Sequence, residues 1–231
     1  MFIGHYGVSY AIKRASPRIP FWILLLAVQF VDLLFMVFIM IGVEKVRLIP
    51  GFTAYNPYDL FYMPYSHSLV AHVGWALLVG GICWPLFRKA APKQANLMAI
   101  LTGVAVFSHF PLDLLMHTPD LPLLFDSGPK FGLGLWHYRT PSMIAELICI
   151  GGGLLVYFRG SKPGPGFAGQ YGMHFFAIFL LVLTVATPFL PPPETVIEFG
   201  LQALAGFGII AALGGWLDRH RMWPETPGGA Q

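Results

Sequence analysis

His109, Asp113 and His117 recur at intervals of four within FSHFPLDLLMHTPD, residues 107–120 of a chain of 231. An α-helix turns by about 100° per residue, so each step of four drifts only about 40° and the three side chains share one face. Imidazole nitrogens and a carboxylate converging on one face form a donor set for a divalent metal of borderline softness. The same groups could instead pair only with one another at a membrane edge. An isolated intramembrane aspartate costs about 2.5–3.5 kcal/mol on insertion scales, so mutual pairing alone would already stabilise them. Pro111 lies between the three and removes one backbone donor, which predicts a kink beside the site.

Other ionisable residues interrupt apolar runs. Asp32 sits inside FVDLLFMVF, where a carboxylate calls for a cation or metal as partner. His67 in MPYSHSLV completes a set of two histidines and two aspartates from three helices, enough for a tetrahedral or five-coordinate ion. His5 in GHYGVSYAI has glycines near it that allow close backbone approach. His137 in LWHYRTP and Glu146 in SMIAELICI, with His117, could hold a further ion. His72 is five residues beyond His67, about 140° around a helix, and is expected to point elsewhere and pack. His174 and His220 read as interfacial, and Cys83 and Cys149, each in an apolar run, as packing residues. The chain contains no Gly-x-Ser-x-Gly elbow and no repeated His-x-x-His-His box.

These residues must be positioned by membrane helices. The composition is 56% hydrophobic and 11% charged, with a mean hydropathy of +0.65, which excludes an ordinary soluble domain and predicts a single all-α integral membrane domain over residues 1–231. Six spans are expected, at about 20–43, 66–87, 95–117, 142–158, 173–190 and 196–217. The segments IPGFTAYNP, GSKPGPGFAG and PFLPPPE read as connections. No repeat and no cleavable signal peptide is evident. A formal charge of +3 is too small to suggest nucleic-acid binding. Lys13, Arg14, Arg18, Arg88, Lys89, Lys93, Arg159, Lys162, Arg219 and Arg221 fall on one side, which predicts that both termini are cytoplasmic. The opposite side carries Lys45, Arg47, Lys130 and Arg139 with Glu44, Asp59, Asp120, Asp126 and Glu194. Trp22, Trp75, Trp84, Trp136 and Trp223 suit an aromatic belt, and the glycines at 151–153, Gly206 and Gly208 suit helix packing. A straight six-span arrangement leaves His5 on the cytoplasmic side. It joins the other ligands only through a re-entrant helix over residues 1–12, or if a boundary or the orientation differs.

Gly4-His5, Asp32, Ser66-His67-Ser68-Leu69, Ser108-His109 through Asp113, and Thr118-Pro119 through Leu124 occur in an order that resembles the bacterial membrane-bound metal-dependent hydrolase family, the group that includes LexA-regulated inner-membrane proteins. The resemblance covers roughly residues 1–125. That family is in turn similar in metal pattern to zinc-dependent phospholipases C and single-strand nucleases. The resemblance implies one to three divalent ions, zinc foremost. Asp32, His67, His109 and Asp113 would hold one, Asp113 would bridge to a second near His5, and His117, His137 and Glu146 would hold a third. Two departures stand out: Phe30-Val31-Asp32-Leu33-Leu34 replaces the family's Pro-Asp-x-Asp-His, and His137 and Glu146 are separated across Pro141 where the soluble relatives carry His-x-x-x-Glu.

The function expected is hydrolysis of a phosphoester in a lipid-like substrate at the bacterial inner membrane, through metal-activated water. Asp32 or Asp113 would accept the proton, and Arg139, unless it is an ordinary loop charge, would bind the phosphate. A transporter using the Asp/His cluster as an ion path, or an assembly factor whose metal merely ties helices together, are the alternatives.

Overall fold

The computed structural model describes residues 1–224. The cytoplasmic C-terminus expected from charge lies outside the described residues. The architecture is helical, and five segments are long and apolar enough to cross a bilayer: Leu69–Ala90, Pro92–Met116, Arg139–Gly160, Ala168–Phe189 and Val196–Asp218. A bent pair, Phe21–Val28 with Phe30–Met40, makes a sixth if counted as one span. Leu77, Ile82, Ile100, Ile148, Val182 and Ile209 face outward and exposed, as hydrocarbon-facing side chains must.

The bend is where the sequence expectation of one straight helix over 20–43 fails. Helix α2 (Phe21–Val28) and helix α3 (Phe30–Met40) meet at Gln29 with an angle of 55°. No proline causes it. Gln29 Nε2 donates to the Phe2 carbonyl at 2.8 Å, and the Val28 carbonyl accepts from His109 Nδ1 at 2.7 Å. Side chains inserted from other segments therefore hold the break, and backbone carbonyls are left free only where protein groups satisfy them.

Before α2, a 3₁₀ turn (Ile3–His5) leads into α1 (Tyr6–Ala15), which lies inside the bundle with Tyr6, Tyr10 and Ile12 buried. Ten residues rise about 15 Å, half of a hydrocarbon core of about 30 Å. One end of α1 is pinned by Lys13, whose Nζ lies 2.8 Å from Asp218 Oδ2 while Tyr157 donates to Asp218 Oδ1 at 2.7 Å. Lys13 is thus a buried ion-pair partner rather than the loop charge expected. The other end carries His5 to the depth of Asp113, which is how His5 reaches the remaining ligands. Met1 is buried beside Asp113 too, so residue 1 occupies no exposed tail.

Helix α4 (Leu69–Ala90) is N-capped by Ser68, whose Oγ accepts from Ala71 N–H at 3.2 Å, three residues later than the start expected at 66. The next span divides into α5 (Ala95–Phe107) and α6 (His109–Met116) at Ser108. The interruption falls three residues before Pro111 because proline then occupies the first turn of α6, where no intrahelical donor is needed. Helices α7 (Arg139–Gly160), α8 (Met173–Ala186) and α9 (Val196–Asp218) complete the bundle. Two antiparallel hairpins, β1–β2 (Lys45–Leu48, Tyr58–Tyr62) and β3–β4 (Leu121–Leu124, Ser127–Phe131), follow α3 and α6. At the opposite end Lys162–Pro163 pairs with Arg221–Met222, bringing together two segments assigned to one side by charge.

α1 crosses α7 at two glycines. A Cβ on Gly153 would lie 2.1 Å from the Gly7 carbonyl oxygen, and one on Gly7 2.1 Å from that of Cys149. Gly151, Gly152, Gly206 and Gly208 meet nothing nearby, so among the packing glycines expected only Gly153 serves that purpose. Gly153→Val should push α1 off α7 and withdraw His5, costing about 1–3 kcal/mol by overpacking. Thermal unfolding in detergent, with metal content measured on the same sample, checks this.

Candidate metal centre

Asp113 is the hub. Its Oδ1 lies 3.1 Å from His5 Nε2 and 2.6 Å from the Met1 nitrogen. Its Oδ2 lies 3.0 Å from His109 Nε2, 3.3 Å from His117 Nε2 and 3.7 Å from His67 Nε2. Asp32 Oδ1 completes the group, 3.2 Å from His67 Nε2 and 3.5 Å from His109 Nε2. The His5 and His109 rings stack with centroids 3.7 Å apart. Two sets, His5–His109–Asp113 and Asp32–His67–His109, each place their ligand atoms within 4.8 Å of one another. The three histidines and Asp113 are buried; Asp32 keeps 15% of its side chain exposed.

The remote ring nitrogens explain what the near ones can do. His109 Nδ1 donates to the Val28 carbonyl, and His117 Nδ1 donates to Asp120 Oδ1 at 2.8 Å. Both partners only accept, so Nδ1 carries a proton in each ring and Nε2 is the position left for a lone pair. Lone pairs and carboxylate oxygens facing each other at such distances repel unless a cation lies between them. Protons supply it in part: burial disfavours charge on His117, but Asp120 and Asp113 outweigh burial and push its pKa up to about 9. A divalent ion would satisfy either set, His5–His109–Asp113 or Asp32–His67–His109. Within each set the donor atoms are close enough to be neighbouring ligands of an ion that holds N and O atoms at about 2.0–2.2 Å. The buried His/Asp groups can therefore bind a metal ion.

Three expected ligands are arranged otherwise or lie apart. His137 is exposed, with its ring against Gly134, and touches none of the group. Glu146 is buried but accepts from the backbone N–H groups of Phe2 at 2.8 Å and Gly4 at 2.7 Å, so it anchors the segment that carries His5. A third ion on His117, His137 and Glu146 does not fit this arrangement: His117 instead belongs to the Asp113 group. The reason is local, since Gly134 at φ +73° turns the chain so that Trp136 faces inward and His137 outward. Trp136 is accordingly no belt residue; it lies on His117 with centroids 4.1 Å apart.

Other residues lie at the centre without a sequence pattern that places them there. His72, expected to point away, has its ring centroid 5.8 Å from both His67 and His109, because His67 precedes the helix and the angular argument does not apply to it. Asp120 was legible only as a loop charge, although its spacing of three from His117 is a usable signal. Glu44 and Ser66 back His67, and nothing in the sequence links Glu44 to Ser66. His174 is exposed and stacked on Phe158, and Cys83 and Cys149 are free thiols.

Asp32, His67, Asp113 and His117, with Glu146, are among the residues that line a cavity of about 570 Å³. Tyr55, Tyr58, Gln202 and Arg139 add polar groups, and Phe35, Met36, Phe199, Ala203 and Phe207 supply apolar wall. Arg139 is the one lysine or arginine lining it among the described residues; its Nε donates to the Ala54 carbonyl at 2.8 Å and its guanidinium lies over Phe189. Comparison of the chain with protein-family models, with curated proteins and with solved structures gives no match.

Proposed function

We propose that this protein is a membrane-embedded, metal-dependent hydrolase that cleaves a phosphoester in a lipid-like substrate at the bacterial inner membrane. The observation that carries the reading is the conjunction of a buried two-Asp, multi-His group with a cavity whose wall combines an apolar side, Phe35, Met36, Phe199, Ala203 and Phe207, with Arg139. The order of short motifs over roughly residues 1–125 supports it as a resemblance. Zinc suits the mixed N/O donor set, with His67, His109, Asp32, Asp113 and His5 as the residues that would hold one or two ions, and His117 beside them. Bound there, such an ion would polarise a phosphoryl oxygen and acidify water near neutral pH.

The protein's own groups divide the remaining tasks. Asp113 is enclosed on both oxygens and serves as a ligand. Asp32 is the carboxylate open to the cavity, which makes it the better placed of the two to take a proton from water. Arg139 supplies the positive charge for a phosphate, with its Nη groups free to form charge-assisted hydrogen bonds once Nε is held by Ala54. Burial pushes the Tyr58 hydroxyl up to about 12, so it stays a neutral donor on the wall. Phe199, Ala203 and Phe207 recur every four residues along α9 and give a hydrocarbon chain an apolar track. The ion-path alternative is less well supported: Tyr6, Tyr10, Phe21 and Leu24, fully buried, fill the space between the cluster and the Lys13–Asp218 end.

Two measurements test the reading. Hydrolysis of chromogenic phosphodiesters and of phospholipids should be present in purified protein and lost on chelation; no turnover of either by metal-loaded protein would contradict it. Ala203→Trp should narrow the apolar track and lower the ratio of long-chain lipid to soluble ester turnover by about 10-fold or more.

A further inference from the structure

We propose that Glu44 is a positioning residue of this centre, acting through the Ser66 hydroxyl to decide which ring nitrogen of His67 carries the proton. The inference rests on the metal-dependent reading above.

Glu44 was expected among the outer loop charges, yet it is buried. Gly42 at φ +77° reverses the chain after α3, and the N–H groups of Val43 and Glu44 both return to the Phe38 carbonyl, at 2.8 and 3.2 Å. This swings the carboxylate beneath the turn that precedes α4. Its Oε1 accepts from the backbone N–H of Tyr65 at 2.8 Å and of Ser66 at 2.9 Å, and its Oε2 lies 2.6 Å from Ser66 Oγ. With three donors aimed at two oxygens, the carboxylate acts only as an acceptor, so the single hydroxyl proton of Ser66 points at Glu44. Ser66 Oγ then offers only lone pairs to His67 Nδ1, 2.7 Å away, and Nδ1 must be the donor. Nε2 is left as a lone pair, facing Asp32 Oδ1 at 3.2 Å and Asp113 Oδ2 at 3.7 Å.

The polarity of this chain is what Glu44 contributes. Val28 and Asp120 fix His109 and His117 directly, because a carbonyl and a carboxylate cannot donate. A serine hydroxyl can donate or accept, so Ser66 alone would leave His67 undecided between its two tautomers. Outer partners of this kind orient a ligand and set its basicity, and their loss lowers metal affinity about 10- to 100-fold.

Glu44→Gln tests the inference with almost no change of shape. The amide oxygen can keep both backbone N–H groups, which turns the NH₂ toward Ser66 Oγ. The hydroxyl proton must then point at His67 Nδ1, and the ring proton moves to Nε2, where it blocks the lone pair. Ring ¹⁵N spectra of histidine-labelled, metal-free protein, recorded in detergent at a pH where imidazole is neutral, should show His67 as Nδ1–H in the wild type and Nε2–H in the variant. Competition titration with a chromophoric chelator should show zinc affinity lower by about 10- to 100-fold. Ser66→Ala should lose affinity too, and Ser66→Thr should restore it, which a purely structural cap would not require. A wild type that binds zinc beside a Glu44→Gln protein with the same tautomer and affinity overturns the proposal. If the wild type binds no zinc, the metal reading fails, and the tautomer of His67 in the two proteins still decides the relay by itself.

Discussion

On the proposed hydrolase reading, Asp113→Ala is expected to empty the metal centre and abolish measurable hydrolysis while leaving the helical bundle intact. Both oxygens of Asp113 are engaged, one with His5 and the other with His67, His109 and His117. No other carboxylate in the group faces all four rings. Removing one partner of a buried charged set costs about 3–5 kcal/mol; lost from metal binding, that would lower affinity about 10²- to 4×10³-fold. The packing core is largely separate: Tyr10, Phe21, Leu24, Leu25, Ile150 and Tyr157 form a cluster that Asp113 does not enter. Far-ultraviolet circular dichroism should therefore be unchanged while metal content and turnover fall together. Asp113→Asn, which keeps one acceptor oxygen and the side-chain volume, should retain more affinity than Asp113→Ala. Equal metal content in all three proteins would remove Asp113 from the centre.

Metal removal should lower thermal stability by an amount readable in one experiment. The ligands come from four separate pieces of chain: the turn at residues 3–5, α3, the segment before α4, and α6. An ion that joins them binds the folded protein and not the unfolded one. Stabilisation is then about 4.1 kcal/mol when free metal exceeds its dissociation constant 1,000-fold. For a chain of this size that corresponds to a fall in Tm on the order of 10 °C when a chelator is added. Asp113→Ala should show a Tm that neither chelator nor added metal changes. A wild type whose Tm ignores both chelator and added zinc would rule out a structural or catalytic ion at this position.

The amount legible in the sequence follows from what a bilayer penalises. Asp32, His67, His109 and Asp113 stand out because an ionisable group in an apolar run is costly unless it has partners, so residue type alone marks them. The long helices were equally plain, since each needs an uninterrupted apolar stretch. Features that depend on contact between segments were not. The bend at Gln29 contains neither proline nor glycine; it is held by groups from residues 2 and 109. Helix α1 is half a span long and surrounded by protein, so its tyrosines, serine and lysine gave no membrane pattern. His72 turns toward the cluster because α4 starts at Leu69, so the helical angle between positions 67 and 72 does not apply. His137 and Glu146 looked like a pair because both are ionisable, but Gly134 turns one outward and the N-terminal backbone claims the other. Glu44 offered no signal, because its partner Ser66 is reached only through the fold of an intervening hairpin.

The most direct test of the metal centre is elemental analysis of the purified protein beside its His109→Ala and Asp113→Ala variants. His109 belongs to both ligand sets, and Asp113 belongs to one and lies 3.7 Å from His67 of the other, so each variant removes a donor of the centre. Stoichiometric divalent metal, zinc foremost, is expected in the wild type and its loss from both variants. Wild-type protein folded and free of stoichiometric metal, or variants that retain the full amount, would contradict it.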